Sequence, residues 1–580
     1  MKRFKVFLAA VFFILNTYSI TIAGDFSLTV VHVNDTHSHL EGDWLKLKIQ
    51  SQTVSIPVGG FARLKTCLKA MRAKDPLLLF LHAGDNVQGT LYFTLFDGRL
   101  EYELLNSVNL DAMVFGNHEF DRGVKYLPGW IKRSRFPWLA SNIDFSAEPA
   151  IAPLVKTYVI KEINGEKVGI IGLTTEKTPF MTLNVGQTVF LDPVETAQKY
   201  VSFLTSQGVN KIIALSHLGY YKDCELAARV PGIDIIVGGH SHSLLGDPAK
   251  LSPLGLVPQG PYPTEIQGPD GKKVLIVQAW QWAHVVGNLK VLFSPEGEIK
   301  DYQGRIVIPA GNALKENGRP VLSASYRYRE LMNAILATGV VQPIKEDREI
   351  LNRLSPYRQK IEKYKLKVVG KTYTPLERGP NEGLGHLVAD AIREKIPGAQ
   401  IALYNSGGVR RDLLAGKITA KDVAEVLPFG NTLVVMDLTG KEIKEALEEG
   451  INFLFRQRGK NPALLPYVSG IKVEIDISAP FGERVKSIYV EEKNGRYVSL
   501  DPDTSYRVVV NSFMAAGGDG FTHLRNSSGF RQDTGFSDLE AFMEYIKKRR
   551  LLQAPREKRI LIIGMTLPHD DLPSALKRAA

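Results

Sequence analysis

At 580 residues the chain exceeds what one hydrophobic core can organise and implies two or three domains. Apolar residues make up 44% and charged residues 23%, the balance of an ordinary globular protein, which excludes a mainly disordered chain. The formal net charge of +11 is spread along the sequence without a dense basic block; it reads as a solvated surface that can assist an anionic substrate, and no nucleic acid polymer is expected as a partner.

In chain order, Lys2, Arg3 and Lys5 precede the apolar run Phe7–Leu15, and Thr21-Ile22-Ala23 supplies a small-x-small cleavage site. This is the pattern of a secretory signal over residues 1–24; a membrane anchor is disfavoured because the apolar run is shorter than the roughly 20 residues a span needs. Losing its three basic residues takes the formal charge from +11 to +8. No later segment is apolar and uncharged for long enough to cross a bilayer, so the mature chain is expected in the periplasm or secreted, with no stable membrane span. Only Cys67 and Cys224 are present, and nothing in the sequence shows that they meet, so stability has to come from buried cores.

From Leu28 to about Phe293, short apolar runs alternate with amphipathic stretches, which predicts an α/β layer architecture. The predicted strands are Leu28–Val33, Leu77–His82, Ala112–Phe115, Val168–Gly172, Lys211–Ser216, Asp234–Val237 and Val274–Gln278. Phe61, Leu64, Cys67, Leu68 and Met71 have the spacing of a helix's core face, and the Pro/Gly-rich stretch Pro248–Pro263 predicts a surface loop. From about Ser323 to Lys365 the chain is strongly charged, and Arg348–Tyr364 is spaced like an exposed helix. A second α/β segment runs from Val368 to about Leu552, followed by a basic tail. There is no internal repeat, so the two halves are expected to be different folds.

Polar motifs recur where the first-half strands end. They are Asn34-Asp35-Thr36-His37, then His82-Ala83-Gly84-Asp85-Asn86, then Gly116-Asn117-His118-Glu119-Phe120-Asp121, then Ser216-His217, then Gly238-Gly239-His240-Ser241-His242. Any one alone reads as a capped turn. In open α/β sheets, however, ligands gather at the carboxyl ends of strands, so side chains far apart in sequence can converge there. Carboxylate, amide and imidazole ligands without thiolates suit borderline divalent ions such as zinc, manganese or cobalt. Seven such residues, Asp35, His37, Asp85, Asn117, His217, His240 and His242, are enough for two metals bridged by one carboxylate.

With these motifs in this order, the chain resembles the 5'-nucleotidase family, whose N-terminal domain is a calcineurin-like metallophosphoesterase, over nearly the whole mature sequence. The resemblance implies a four-layer α/β/β/α metallophosphoesterase sandwich with a second, smaller α/β substrate-binding domain. It divides the chain into a catalytic domain at 25–325, a connector helix at 326–366, a substrate-binding domain at 367–553 and a basic tail at 554–580. It implies that Asp35, His37, Asp85 and His242 hold one metal, that Asp85, Asn117, His217 and His240 hold the other, and that His118 with Asp121 forms a catalytic dyad. A carboxylate beside His118 favours the charged imidazole. For Glu119, loop ordering is the reading left open.

The second half contains Asn405-Ser406-Gly407-Gly408-Val409-Arg410, Leu427-Pro428-Phe429-Gly430-Asn431 and Asn511-Ser512-Phe513, the last leading to Gly517-Gly518-Asp519-Gly520; these resemble the family's nucleoside-binding segments. Phe429 and Phe513 can sandwich a base, a stacking contact of ~1–3 kcal/mol per base. Asp519 can accept from ribose hydroxyls, and Arg410 with Arg378 can fork onto phosphate oxygens. Asn405 and Asn431 complete the implied substrate set.

Two departures from the family pattern stand out. In Asn381-Glu382-Gly383-Leu384-Gly385-His386 the Glu is displaced and His replaces Asn, and Gln278-Ala279-Trp280-Gln281-Trp282 carries bulky residues where a small one is commoner. The implied reaction is hydrolysis of nucleoside 5'-monophosphates, with UDP-sugar diphosphatase and 2',3'-cyclic-nucleotide phosphodiesterase as alternatives on the same site. A catalytically inactive nucleotide-binding surface protein is disfavoured, because every ligand position and the dyad are present.

Overall fold

The computed structural model describes residues 24–181, 185–379, 381, 383–458, 465–492 and 494–563. The expected leader, apart from Gly24, and the end of the tail from residue 564 lie outside them.

The Val/Ile/Leu-rich runs of the first half form two facing sheets. In one, strands Phe26–Val33, Leu79–His82, Ala112–Val114 and Trp138–Leu139 lie parallel in that order. In the other, Glu166–Thr174, Ile212–His217, Ile235–Gly238 and Lys273–Gln278 are parallel neighbours. These strands are buried on both faces, which is why they read as continuous apolar runs and not as alternating ones.

Leu79, Leu81, Ala112 and Val114 meet Ile170, Ile213, Leu215 and Val237 in the core between the sheets. Helices Phe61–Arg72, Arg99–Ser107 and Leu127–Arg133 cover the outer face of the first sheet, and Pro193–Ser206 and Tyr220–Arg229 that of the second. The result is the expected four layers, helix, sheet, sheet, helix. The predicted helix face of Phe61, Leu64, Cys67, Leu68 and Met71 is buried. Cys67 and Cys224 are both free.

The structure differs from expectation in three places. Pro248–Pro263 is no simple surface loop: it contains the short helix Pro248–Leu251, capped by Asp247, and buries Leu251 and Leu254. The 326–366 stretch is two helices, Tyr326–Leu336 and Arg348–Lys365, separated by a strand, Val341–Pro343, that pairs with Ile308–Ala310. The second helix is no exposed rod, because Ile350, Leu354 and Ile361 join the core beneath the first sheet; its charges mark only its outer face. Finally, Ile560–Ile563, assigned to the tail, is a strand parallel to Ile471–Asp476.

The second half is built on a five-stranded sheet in the order Tyr467–Ser469, Ile401–Tyr404, Ser505–Asn511, Thr432–Thr439, Arg531–Ser537. Its faces pack against two separate cores, one holding helices Leu384–Lys395 and Asp538–Arg549, the other helix Gly440–Arg458. The chain is thus a mixed α/β protein of two domains.

Candidate metal centre

All the parallel strands of the first half end at one edge, and the polar motifs meet there. The backbone is strained to do so: Asp35, His37, Asp85, His240 and His242 all have positive φ, between 44° and 74°. Such conformations cost of order 1–3 kcal/mol each and persist where the surroundings over-determine them. Here the strand-end loops hold one another. Asp35 N donates to Gly84 O at 3.0 Å, His37 N to Asp85 O at 3.1 Å and Ser38 N to Asn86 O at 3.0 Å. Asn34 Nδ2 donates to Asp35 Oδ2 at 2.6 Å and to Trp280 O at 2.7 Å, and His240 N donates to both Asp35 oxygens. Gly116 has to lack a side chain, because a Cβ there would collide with Asp85.

Three overlapping groups could each hold a cation: Asp35, His37 and His242; His37, Asp85 and His118; and Asp85, His217 and His240. The donor chemistry fits ions. His217 Nδ1 donates to Ala83 O at 2.7 Å and its Nε2 lies 3.0 Å from Asp85 Oδ2; burial pushes this imidazole down, but the Asp85 and Asp35 carboxylates prevail and raise it to about 9. His37 and His242 bring their Nε2 atoms to 3.0 Å. Both amide atoms of Asn117 are buried without a protein partner. Burial holds the His240 imidazole down at about 3, in the neutral form that ligates metals. Burial opposes ionisation of Asp85, yet His217 and His118 outweigh it and hold the carboxyl well below its usual range. The centre therefore sets the neutral imidazole of His240 beside the ionised carboxylate of Asp85.

His118 stands at the rim. Its Nδ1 lies 2.6 Å from Asp121 Oδ2 and its Nε2 lies 4.0 Å from Asp85 Oδ2. Burial pushes the imidazole down, but the Asp121 and Asp85 carboxylates prevail and raise it to about 10.

The residues expected to read substrate lie in the second domain and are not gathered at this centre. Phe429 and Phe513 are 42% and 44% exposed. The Arg410 guanidinium lies 5.5 Å from the Phe429 ring centroid. Arg378 Nε donates to Asp412 Oδ1 at 2.9 Å, and its Nη1 to Arg410 O at 3.1 Å. Asn405 donates to Asp519 Oδ2 at 2.8 Å and accepts from Asn511, while Asn431 donates to Asp538 at 3.2 Å. Of the departures, His386 is buried, edge-on to Tyr467 and bonded to the Val468 backbone; Glu382 lies outside the described residues. The Trp282 ring packs flat on His39, centroids 4.2 Å apart, and the Trp282 backbone N–H donates to Asp35 O at 2.8 Å, so this loop buttresses the strand-end loop that carries Asp35.

What faces the centre from the second domain is not anticipated from sequence. Gly535 lies against the His118 ring so closely that a Cβ there would collide with Nε2. Asp533, with Arg531, Tyr221 and Lys222, lines a cleft of about 520 Å³ that opens on His240 and His242. Elsewhere between the domains, Thr94 and Gln88 donate to Glu540 at 2.5 and 3.3 Å, and Lys46 Nζ stands 5.1 Å from the Phe429 ring centroid. No local motif signals these contacts, since each joins residues far apart along the chain.

Comparison with known proteins agrees with this geometry. The calcineurin-like phosphoesterase profile matches residues 28–244, and the 5'-nucleotidase C-terminal domain profile matches 366–526. A probable 5'-nucleotidase of Treponema pallidum is 34% identical, over 93% of this chain and 95% of its own. The human 5'-nucleotidase is 33% identical, over 93% and 91%. The NAD nucleotidase of Haemophilus influenzae superposes with a TM-score of 0.80 at 29% identity, covering 93% of this chain and 99% of that one. A 5'-nucleotidase precursor from Thermus thermophilus gives 0.58 at 41% identity, covering 93% and 100%. A hydrolytic metallophosphoesterase domain with a cluster of His and Asp residues able to bind metal, joined to a nucleotidase C-terminal domain, places the chain in the 5'-nucleotidase family.

Proposed function

We propose that the protein is exported and hydrolyses nucleoside 5'-monophosphates to nucleoside and phosphate. The observation that carries this reading is Asp85, flanked by His37 and His118 on one side and by His217 and His240 on the other, as a bridging carboxylate would be. Asp35, His37, Asp85 and His242 would hold one divalent ion, and Asp85, Asn117, His217 and His240 a second, with zinc, manganese or cobalt fitting the ligand set. When bound, such ions supply Lewis-acid polarisation of a phosphoryl group and acidify an attacking water. The protein's own part is to orient and to stabilise charge. Asp121 fixes the His118 ring and keeps it protonated, so that Nε2–H can donate to a phosphoryl oxygen or to the departing ribose oxygen. Metal-loaded protein is expected to release phosphate from AMP and to lose that activity with a chelator; nucleotide binding without turnover in added manganese would contradict the reading.

The second domain would choose the nucleoside. Phe429→Ala or Phe513→Ala is expected to raise KM for AMP by roughly 5- to 150-fold, the equivalent of ~1–3 kcal/mol of stacking. Hydrolysis of glycerol 2-phosphate, which has no base, should be unchanged by either substitution. Equal losses on both substrates would remove these residues from the substrate site. A second reading, cleavage of a pyrophosphate-linked nucleotide such as NAD or a UDP-sugar, is supported by the likeness to the Haemophilus enzyme; release of a mononucleotide from either compound would establish it.

Turnover on either reading needs the domains to move, because Gly535 covers His118 and Lys46 sits by Phe429. Chains 41% identical share their domain folds, so the TM-score of 0.58 against the Thermus structure supports a different domain placement there. In a Cys224→Ser background, Thr94→Cys and Glu540→Cys joined by a reducible bifunctional thiol reagent should give a protein that is inactive until reduced. Full activity in the joined form would refute the motion.

A further inference from the structure

The buried carboxylate of Glu119 lies one residue beyond His118 and is not itself among the side chains grouped to hold a cation. Its two oxygens nevertheless receive four donors. Oε2 accepts from Asp85 N at 3.0 Å and from Gly116 N at 2.7 Å. Oε1 accepts from Asn86 N at 3.0 Å and from the Tyr102 hydroxyl at 3.1 Å. Two of the backbone donors belong to the loop after strand Leu79–His82 and one to the loop after Ala112–Val114, so a single side chain ties together the loops that carry Asp85 and Asn117. Tyr102, fully buried on helix Arg99–Ser107, anchors the clip to the outer helical layer.

We propose that Glu119 is the positioning residue of the metal centre: it sets the distance between the bridging carboxylate Asp85 and the Asn117–His118 segment. Only a carboxylate can do this. It offers acceptor sites on both oxygens, whereas a glutamine at the same place presents an NH2 group to at least one backbone N–H. A glutamine would keep the Asp85 and Gly116 bonds and lose Asn86, leaving that amide buried without a partner, while the Tyr102 hydroxyl could turn to accept. The clip thus acts on metal affinity through loop geometry, with no contact to substrate, and it rests on the two-metal reading given above.

The test is a cobalt(II) titration of the metal-free full-length protein, read by the visible d–d spectrum and by heat. Wild type binding two cobalt ions per chain upholds the two-metal reading independently of Glu119. Glu119→Gln, folded by circular dichroism, is expected to bind cobalt about tenfold more weakly and with an altered d–d spectrum, in the range usual for outer-layer ligand partners. At saturating cobalt its KM for AMP should equal that of wild type. A folded Glu119→Gln with wild-type cobalt affinity and spectrum would overturn the proposal, as would a loss of thermal stability unaccompanied by any change in metal binding. Should Glu119→Gln not fold, Tyr102→Phe decides, since it removes one donor and leaves the carboxylate: a weaker cobalt affinity than wild type supports the clip, and unchanged affinity overturns it.

Discussion

Asp85→Asn is expected to lower kcat/KM for AMP by about ten-thousand-fold, because several kcal/mol of phosphoryl polarisation go with the bridged pair of ions and each 1.36 kcal/mol is tenfold in rate. The fold should survive. The amide oxygen of asparagine can still accept the bond that His118 N donates to Asp85 Oδ1 at 2.9 Å, and Asp85 N still reaches Glu119. What is lost is the second anionic oxygen, which faces His217 at 3.0 Å and His37 at 3.9 Å. With its oxygen kept by His118 N, a neutral amide puts its NH2 group, which has no lone pair to offer, in that place and cannot bridge. Metal content should therefore fall from two ions per chain to one or fewer, with an unaltered far-ultraviolet spectrum. Two tightly held ions in a folded Asp85→Asn protein would show that this residue is no bridge.

His118→Gln should behave differently, losing roughly a hundred- to ten-thousand-fold in kcat, the usual contribution of a positioned proton donor, while both metals and the KM for AMP are retained. Asp121→Asn should cost less, about ten- to a hundred-fold, because it leaves the ring in place and weakens only its charge and orientation. Since Asp121 acts through His118, the double variant should be no worse than His118→Gln alone. Additive losses would mean that Asp121 has a role of its own.

Much of the catalytic half is legible in the chain because its chemistry sits where apolar runs stop. Strands such as Ile212–His217 and Ile235–Gly238 are buried on both faces and appear as largely apolar stretches, and the polar residue at the end of the first, His217, and the one two positions past the second, His240, lie together at the site edge. The hairpin Asp43–Ile49 with Gln52–Val58 is less visible: one face is solvated, and its alternating lysines resemble a charged loop. Residues 326–366 mislead for the opposite reason, since three buried side chains among many charges anchor a helix that reads as exposed.

In the second domain, single residues are legible and their assembly is not. Asn405 and Asp519 announce themselves by motif, but their mutual hydrogen bond, and the Arg378 pairing with Asp412, depend on sheet order that no local pattern encodes. The contacts of Gly535 with His118 and of Glu540 with Thr94 join the two domains, and hydrophobic periodicity carries no information about how domains dock. Glu119 lies in plain view within its motif. Its role becomes clear only when the four donors around it can be counted.

The most direct test is anomalous diffraction at the manganese edge from crystals grown with that metal. Two peaks roughly 3.5–4 Å apart are expected. One should lie among Asp35, His37 and His242, the other among Asn117, His217 and His240, and both within coordination distance of Asp85. A lone peak, or peaks that leave Asp85 unliganded, would contradict the account.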